Sequence, residues 1–148
     1  MCSARCSYLC ITNNPELAKC ISSVEYIDGS IVDVLKKGRD LIHLGWTLLS
    51  NPMYGNLKPN QQPFRSLVLQ APSENAGVDM DSLSFIEEGL RIFGDAPVLV
   101  KRGELVPVSE ADFAYLDFNL MRETLERCSI LSSVMHRMTD GRTLIKSN

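Results

Sequence analysis

Short apolar runs alternate along this chain with longer segments in which apolar residues recur every three or four positions. The short runs predict strands, and the longer segments predict helices that bury one face. We expect strands at 7–12, 24–27, 46–49 and 66–69. We expect helices at about 16–22, 31–44 and 79–93, then a short one from 109 and a last one over about 117–138.

This order of elements predicts an α/β fold, a single domain over 1–148 with a central, mostly parallel sheet of about four strands flanked by helices. Residues 95–108 fit either a hairpin or an edge strand, and 139–148 predict a loose C-terminal tail. The expected sheet core consists of Leu9, Ile11, Val24, Ile27, Leu48, Val68 and Leu69.

The longest polar stretch lies between the third and fourth predicted strands, within residues 48–69. Pro52, Pro59 and Pro63 exclude a helix there, because proline lacks the amide donor and restricts the residue before it. Loops of this length in compact domains are usually functional or disordered, and three prolines favour a stiff one. Lys58 and Arg65 place positive charge among several amide side chains. The pattern predicts a long Pro/Asn-rich loop that binds something polar.

The charge pattern excludes some partners. The chain has 148 residues and a net charge of -3, and its basic residues form no stripe, so we expect no nucleic acid. No apolar run approaches the roughly 20 residues needed to cross a bilayer, so we expect no membrane partner. The first apolar run breaks at Asn13-Asn14-Pro15, which makes a poor signal peptide. We therefore expect a cytoplasmic protein.

The five cysteines give no recognisable metal motif. Cys2, Cys6 and Cys10 are four residues apart, while Cys20 and Cys128 stand alone. Paired C-x-x-C zinc spacing is missing from the sequence, and an iron–sulfur cluster on the first three would still need a fourth ligand. We favour buried thiols in a reducing compartment, and expect neither a metal nor a cofactor.

Two motifs are candidates for a binding or catalytic site. Asn13-Asn14-Pro15 follows a strand and opens a helix, a place where ligands bind in parallel α/β sheets, although a plain helix cap explains the same residues. Arg39, Asp40 and His43 share one helix face, so that Asp40 could orient His43 as a general base. The alternative is an exposed ion-pair face at a helix end.

Two blocks of sequence resemble the GrdX family, small proteins associated with glycine, sarcosine and betaine reductase systems. The first block is Ile11-Thr12-Asn13-Asn14-Pro15. The second block is the more specific and comprises Arg39-Asp40-Leu41-Ile42-His43, Gly45, Leu48-Leu49, Pro52, Gly55, Lys58-Pro59-Asn60 and Pro63. The resemblance covers about residues 8–70. It implies a bacterial, anaerobic, amino-acid-reducing setting and no known molecular activity.

The chain also departs from the family pattern. Trp46 and Asn51 stand where we would expect histidines, and Gln61 stands where an acid is common. If those histidines carry chemistry in the family, this member lacks it.

Two functional hypotheses follow. The first is an accessory protein of the reductase system that binds a small anion or a reductase component through the loop. The second is a small enzyme acting on a carboxylate or phosphate metabolite, with His43 and Asp40 as its catalytic pair. The predicted ligand-binding residues are Asn13, Asn14, Arg39, His43, Asn51, Gly55, Lys58, Asn60 and Arg65. We favour the first hypothesis because no complete catalytic constellation is visible.

Overall fold

The protein was analysed as a computed structural model, which describes residues 7–54, 63–95 and 107–131. Its strands are β1 (Tyr8–Thr12), β2 (Val24–Tyr26), β3 (Thr47–Leu48) and β4 (Ser66–Gln70). Its helices are α1 (Pro15–Ala18), α2 (Ile31–His43), α3 (Met80–Asp95) and α4 (Pro107–Arg127). All four predicted strands are confirmed, as are the helices predicted at 31–44 and 79–93. The undecided segment 95–108 and the predicted tail 139–148 lie largely or wholly outside the described residues.

The sheet has four strands in the order β2-β1-β4-β3 and is mixed. The prediction of a mostly parallel sheet is therefore wrong: β1 pairs with β2 in parallel, but β4 is antiparallel to both β1 and β3. The reason lies in the connections. Parallel neighbours need a crossover, which α1 supplies between β1 and β2, whereas the described parts of the β3–β4 connection, 49–54 and 63–65, contain no helix.

Although the sheet is mixed, β1, β2 and β3 all point in the same direction, because β1 and β3 are both antiparallel to β4. These three strands therefore end on one side of the sheet, where β4 begins. We call this side the Asn13 end, since Asn13 directly follows β1. The opposite side, where β1 starts and α2 finishes, is the His43 end.

Helices cover both faces of the sheet and give two hydrophobic clusters. Cys10 and Val68 point toward α1 and α4, whereas Ile11, Leu67 and Leu69 point toward α2 and α3. This split follows from the alternation of side chains along a strand. Of the predicted core, Ile11, Val68 and Leu69 are fully buried. The others pack against the two clusters as partly buried residues, namely Leu9, Val24, Ile27 and Leu48.

Two glycines set the position of α2. A Cβ atom on Gly38 would lie 2.7 Å from the Leu67 side chain, so the glycine permits a close approach of α2 to β4. Gly45 ends the helix with a φ of +100°, a conformation that other residues rarely adopt. The glycine in the middle of α2, which weakens an isolated helix, therefore has a packing role here.

The C-terminal helix differs from the prediction. The two helices expected from 109 and over 117–138 form one helix, which ends at Arg127. The end is a Schellman motif: the Ile130 amide donates to the Leu125 carbonyl, the Ser129 amide donates to the Glu126 carbonyl, and Ser129 has a φ of 56°. The motif explains why apolar residues continue past the helix, because Ile130 turns back into the core with Leu125.

Candidate functional site

Asn14 caps α1 and at the same time ties it to α4. Its Oδ1 accepts hydrogen bonds from the amides of Glu16 (3.1 Å) and Leu17 (3.3 Å). Its Nδ2 donates to the Ala114 carbonyl (3.0 Å) and to Asp117 Oδ2 (3.1 Å). Both amide hydrogens of this fully buried residue are therefore used inside the protein.

Asn13 also connects separate segments of the chain, on the other side of the sheet. Its Nδ2 donates to the carbonyls of Gly29 (3.1 Å) and Pro63 (2.9 Å), and its Oδ1 accepts from the Arg65 amide (2.8 Å). These contacts join the end of β1 to the start of α2 and to the chain entering β4. Asn13 is fully buried, and like Asn14 it has no amide hydrogen left for a ligand.

A buried carboxylate, Asp117 of α4, organises the hydroxyl groups at the Asn13 end. Its Oδ1 accepts from the Tyr54 hydroxyl, and its Oδ2 accepts from Ser66 Oγ (2.8 Å) as well as from Asn14. The Ser66 hydroxyl donates its only hydrogen to Asp117. Thr12 Oγ1 is therefore the donor in the 2.7 Å contact between Thr12 and Ser66. The carboxylate thus receives three hydrogen bonds from three different segments.

The burial of this network shifts its ionisation. Burial raises the pKa of the Asp117 carboxyl, while hydrogen bonds from Tyr54, Asn14 and Ser66 and the charge of Arg65 oppose the shift. Burial also raises the pKa of the Tyr54 hydroxyl well above its ordinary value, and the Asp117 charge adds to that effect. Tyr54 therefore stays a proton donor to Asp117 at neutral pH.

Arg65 is the cation of this end and is only 1% exposed. Its Nη1 donates to the Tyr54 carbonyl (2.8 Å), and its Cζ lies 4.3 Å from the centre of the Tyr54 ring and 4.8 Å from that of Phe93. Its Nε is buried and has no hydrogen-bond partner among the residues that the structure describes. Within the described part of the chain, no ion pair involves Arg65.

The predicted residues of α2 lie elsewhere. Asp40 and His43 are exposed, and Arg39 Nη1 faces Glu87 Oε1 of α3 at 3.7 Å. Because α2 starts beside Asn13 and rises about 1.5 Å per residue, its thirteen residues carry His43 about 20 Å away, to the opposite end of the sheet. The structure therefore brings Asn13, Asn14 and Arg65 together and separates them from Arg39, Asp40 and His43.

The predicted loop residues are only partly described. Asn51 is exposed, and its Oδ1 accepts from the Met53 amide (2.9 Å), which stabilises the turn that leads to Tyr54. Gly55, Lys58 and Asn60 lie outside the described residues, and their assignment to a site remains a prediction.

Four residues that contact one another or Arg65 at the Asn13 end were not identified from the sequence: Tyr54, Ser66, Phe93 and Asp117. Asp117 carried a usable signal, because it lies three residues after the buried Ala114 and four before the buried Met121, on the apolar face of α4. A carboxylate on such a face needs partners, which marks it for a polar network. The predicted last helix began at about Asp117, so the face that Asp117 shares with Ala114 was not recognised.

The described cysteines are all in the cluster between the sheet and α4. Cys10, Cys20 and Cys128 are buried, and burial raises the pKa of each thiol. Over 7–54, 63–95 and 107–131, no group of three or more potential ligands is placed to hold a metal ion. Cys2 and Cys6 lie outside those ranges, so the expectation of no metal at the N-terminus remains a prediction.

These features define a class: an α/β protein with an open, four-stranded mixed sheet and a buried polar cluster where three of its strands end. Among the described helices, none is long and apolar enough to cross a membrane. The model of the GrdX-like protein family matches residues 9–126, which is most of the chain. The chain therefore belongs to the GrdX-like family, as the two sequence blocks predicted. Comparison with curated proteins and with solved structures gave no match.

Proposed function

We propose that this protein is a non-catalytic accessory protein of an anaerobic amino-acid reductase system, and that it binds a small anion at Arg65. Family membership supports the first half, because the GrdX resemblance implies glycine, sarcosine and betaine reductase systems. The buried guanidinium supports the second half.

The observation that carries the proposal is the unpartnered Nε of a buried arginine. Removing a charged group from water costs several kcal/mol unless a partner charge and hydrogen bonds compensate. Among the described residues, the Arg65 guanidinium has one hydrogen bond to the Tyr54 carbonyl and two aromatic neighbours, which are worth roughly 1.5–3 and up to about 2 kcal/mol in such settings. An anion at Nε would supply the missing acceptor and a direct ion pair, whereas Tyr54 stands between Arg65 and the carboxylate of Asp117.

The enzyme hypothesis has less support. It needs His43 and Asp40 in a site that is shielded from water, yet both side chains are exposed at the His43 end. Neither lies near the buried cluster, so a ligand at Arg65 would be out of their reach. We therefore assign the binding role to Arg65, with Asn13 and Asn14 acting as residues that hold the surrounding backbone.

A thermal-shift panel with acetate, glycine, acetyl phosphate and phosphate tests anion binding. We expect at least one anion to raise the melting temperature of the wild type, because a ligand that binds only the folded state stabilises it. Arg65→Met keeps the apolar stem and should abolish the shift. Arg39→Met, the matched control on the exposed face of α2, should retain it. A shift that survives Arg65→Met, or an absence of any shift, would contradict the proposal.

The reductase association needs a separate test. We expect tagged wild-type protein to retain reductase components in a pull-down from cells fermenting glycine. Recovery of those components with Arg65→Met as well would show that the partner does not use the anion site. Failure to recover any component under these conditions would count against the accessory role.

A further inference from the structure

We propose that the Arg65 site selects a singly charged carboxylate over a doubly charged phosphate, and that Asp117 sets this selectivity. The inference rests on the proposed function, since it assumes that Arg65 binds an anion. It adds the chemical class of the ligand and the residue that rejects the competing class.

The first argument is the geometry of the free donor. The N–H groups of a guanidinium lie in its plane, and they match the two oxygens of a carboxylate in a planar, bidentate arrangement. In Arg65, the Tyr54 and Phe93 rings lie within 5 Å of Cζ, and Nη1 is occupied by the Tyr54 carbonyl. Nε is the donor without a partner among the described residues, and an acceptor bonded to it would lie in the plane of the guanidinium.

The second argument is the charge behind the guanidinium. Tyr54 connects the two buried charges directly: its carbonyl and ring contact Arg65, and its hydroxyl donates to Asp117. Arg65 is close enough to act on the ionisation of Asp117, since its charge opposes the burial that raises the pKa of that carboxyl. The anion would therefore meet a positive guanidinium and, one side chain further, a negative carboxylate.

The balance of charge then favours a monoanion. Arg65 and ionised Asp117 together carry no net charge, so a carboxylate leaves the buried group at -1 and a phosphate dianion leaves it at -2. Repulsion between Asp117 and the ligand doubles with the second charge, and it is strong because the surroundings exclude water. The attraction to Arg65 also doubles, but Asp117 cancels part of it, whereas the cost of removing an ion from water rises with the square of its charge.

The test is a calorimetric titration of the wild-type protein at about pH 8.5, where inorganic phosphate is almost entirely the dianion, with acetate and with inorganic phosphate. We expect acetate to bind at least about tenfold more tightly, the effect of one unit of charge at moderate distance and dielectric. Asp117→Asn should reduce this ratio toward unity by improving phosphate binding. Asp112→Asn makes the same change at an exposed position of the same helix and should leave the ratio unchanged.

The outcomes separate this inference from the function on which it rests. Phosphate binding at Arg65 as tightly as acetate in the wild type would overturn the selectivity and leave anion binding intact. Binding of neither ligand would overturn the proposed function itself. An acetate-to-phosphate ratio that is unaffected by Asp117→Asn would remove Asp117 from the account. If that variant does not fold, the wild-type ratio alone decides, because it requires no substitution.

Discussion

The two ends of the sheet carry similar polar residues but differ in how far these residues are buried. At the Asn13 end, Asn13, Asn14, Arg65 and Asp117 are at most 1% exposed. At the His43 end, the charged residues of α2 are half-buried or exposed and meet water or a neighbouring helix. The comparison teaches that residue type alone does not mark a site in this protein. Burial turns ordinary amides and carboxylates into a connected network at one end, and the lack of it leaves a solvated surface at the other.

The largest expected effect comes from removing the centre of the buried network. Asp117→Ala leaves the donors of Tyr54, Ser66 and Asn14 without their acceptor, so we expect a loss of roughly 3–5 kcal/mol in the free energy of unfolding. Asp112→Ala, on the exposed side of the same helix, should change it by less than about 0.5 kcal/mol. Urea denaturation measures both, and equal losses would break the comparison.

A second test compares two asparagines, of which Asn13 is buried and Asn51 is exposed. Asn13→Ala removes three hydrogen bonds from buried backbone groups and should cost roughly 2–4 kcal/mol. Asn51→Ala removes one hydrogen bond from an exposed turn and should cost at most about 1 kcal/mol. Denaturant midpoints of the two variants give the difference. A small loss of stability in Asn13→Ala would mean that this end of the sheet tolerates unpaired backbone groups.

The fold was predictable where the pattern of apolar residues is local. The short apolar runs of β1 and β4 and the apolar face of α2 gave their boundaries to within a residue or two. The direction of β4 was not predictable in the same way, because pairing partners are set by long-range contacts that a local pattern does not contain. The end of α4 depended on a left-handed Ser129, and serine is not the usual residue of such a cap.

The site was predictable only in part. Asn13, Asn14 and Arg65 were identified by their types and by their places beside β1 and β4, and these places depend on local order. Their roles depend on partners about 50 to 100 residues away, such as the contact of Asn14 with Asp117. Arg39 and His43 were grouped with them because a helix end near a loop looks close in sequence. The length of α2 separates them in space.

The third test uses the pH dependence of stability. Burial raises the pKa of Asp117 above its ordinary value of 3.8, so the folded state holds this proton more tightly than the unfolded state. The contribution of Asp117 to stability is therefore greatest below pH 3.8 and is lost as the pH rises through the folded pKa. Between pH 3.8 and the folded pKa of Asp117, the free energy of unfolding of the wild type should fall relative to that of Asp117→Asn. A difference that rises with pH would show that the hydrogen bonds outweigh burial.

Among the buried polar residues at the Asn13 end, Arg65 has the smallest expected effect on stability. Replacing a buried charge by an apolar side chain of similar size is often neutral, because the lost hydrogen bond and ring contacts are offset by the removed desolvation cost. We expect Arg65→Met to change the free energy of unfolding by less than about 1.5 kcal/mol in anion-free buffer. Arg39→Met should change it by less than about 0.5 kcal/mol. A large loss on Arg65→Met would assign Arg65 a structural role.

The most direct test is a nuclear magnetic resonance titration that follows the Nε–H signals of the arginine side chains as acetate is added. The Arg65 signal, identified by its absence in Arg65→Met, should shift with saturation behaviour, since its Nε is buried and has no partner over 7–54, 63–95 and 107–131. The Arg39 signal should stay in place. An Arg65 signal that does not move at acetate concentrations that raise the melting temperature, or saturable movement of the Arg39 signal in its place, would contradict the assignment of the anion site to Arg65.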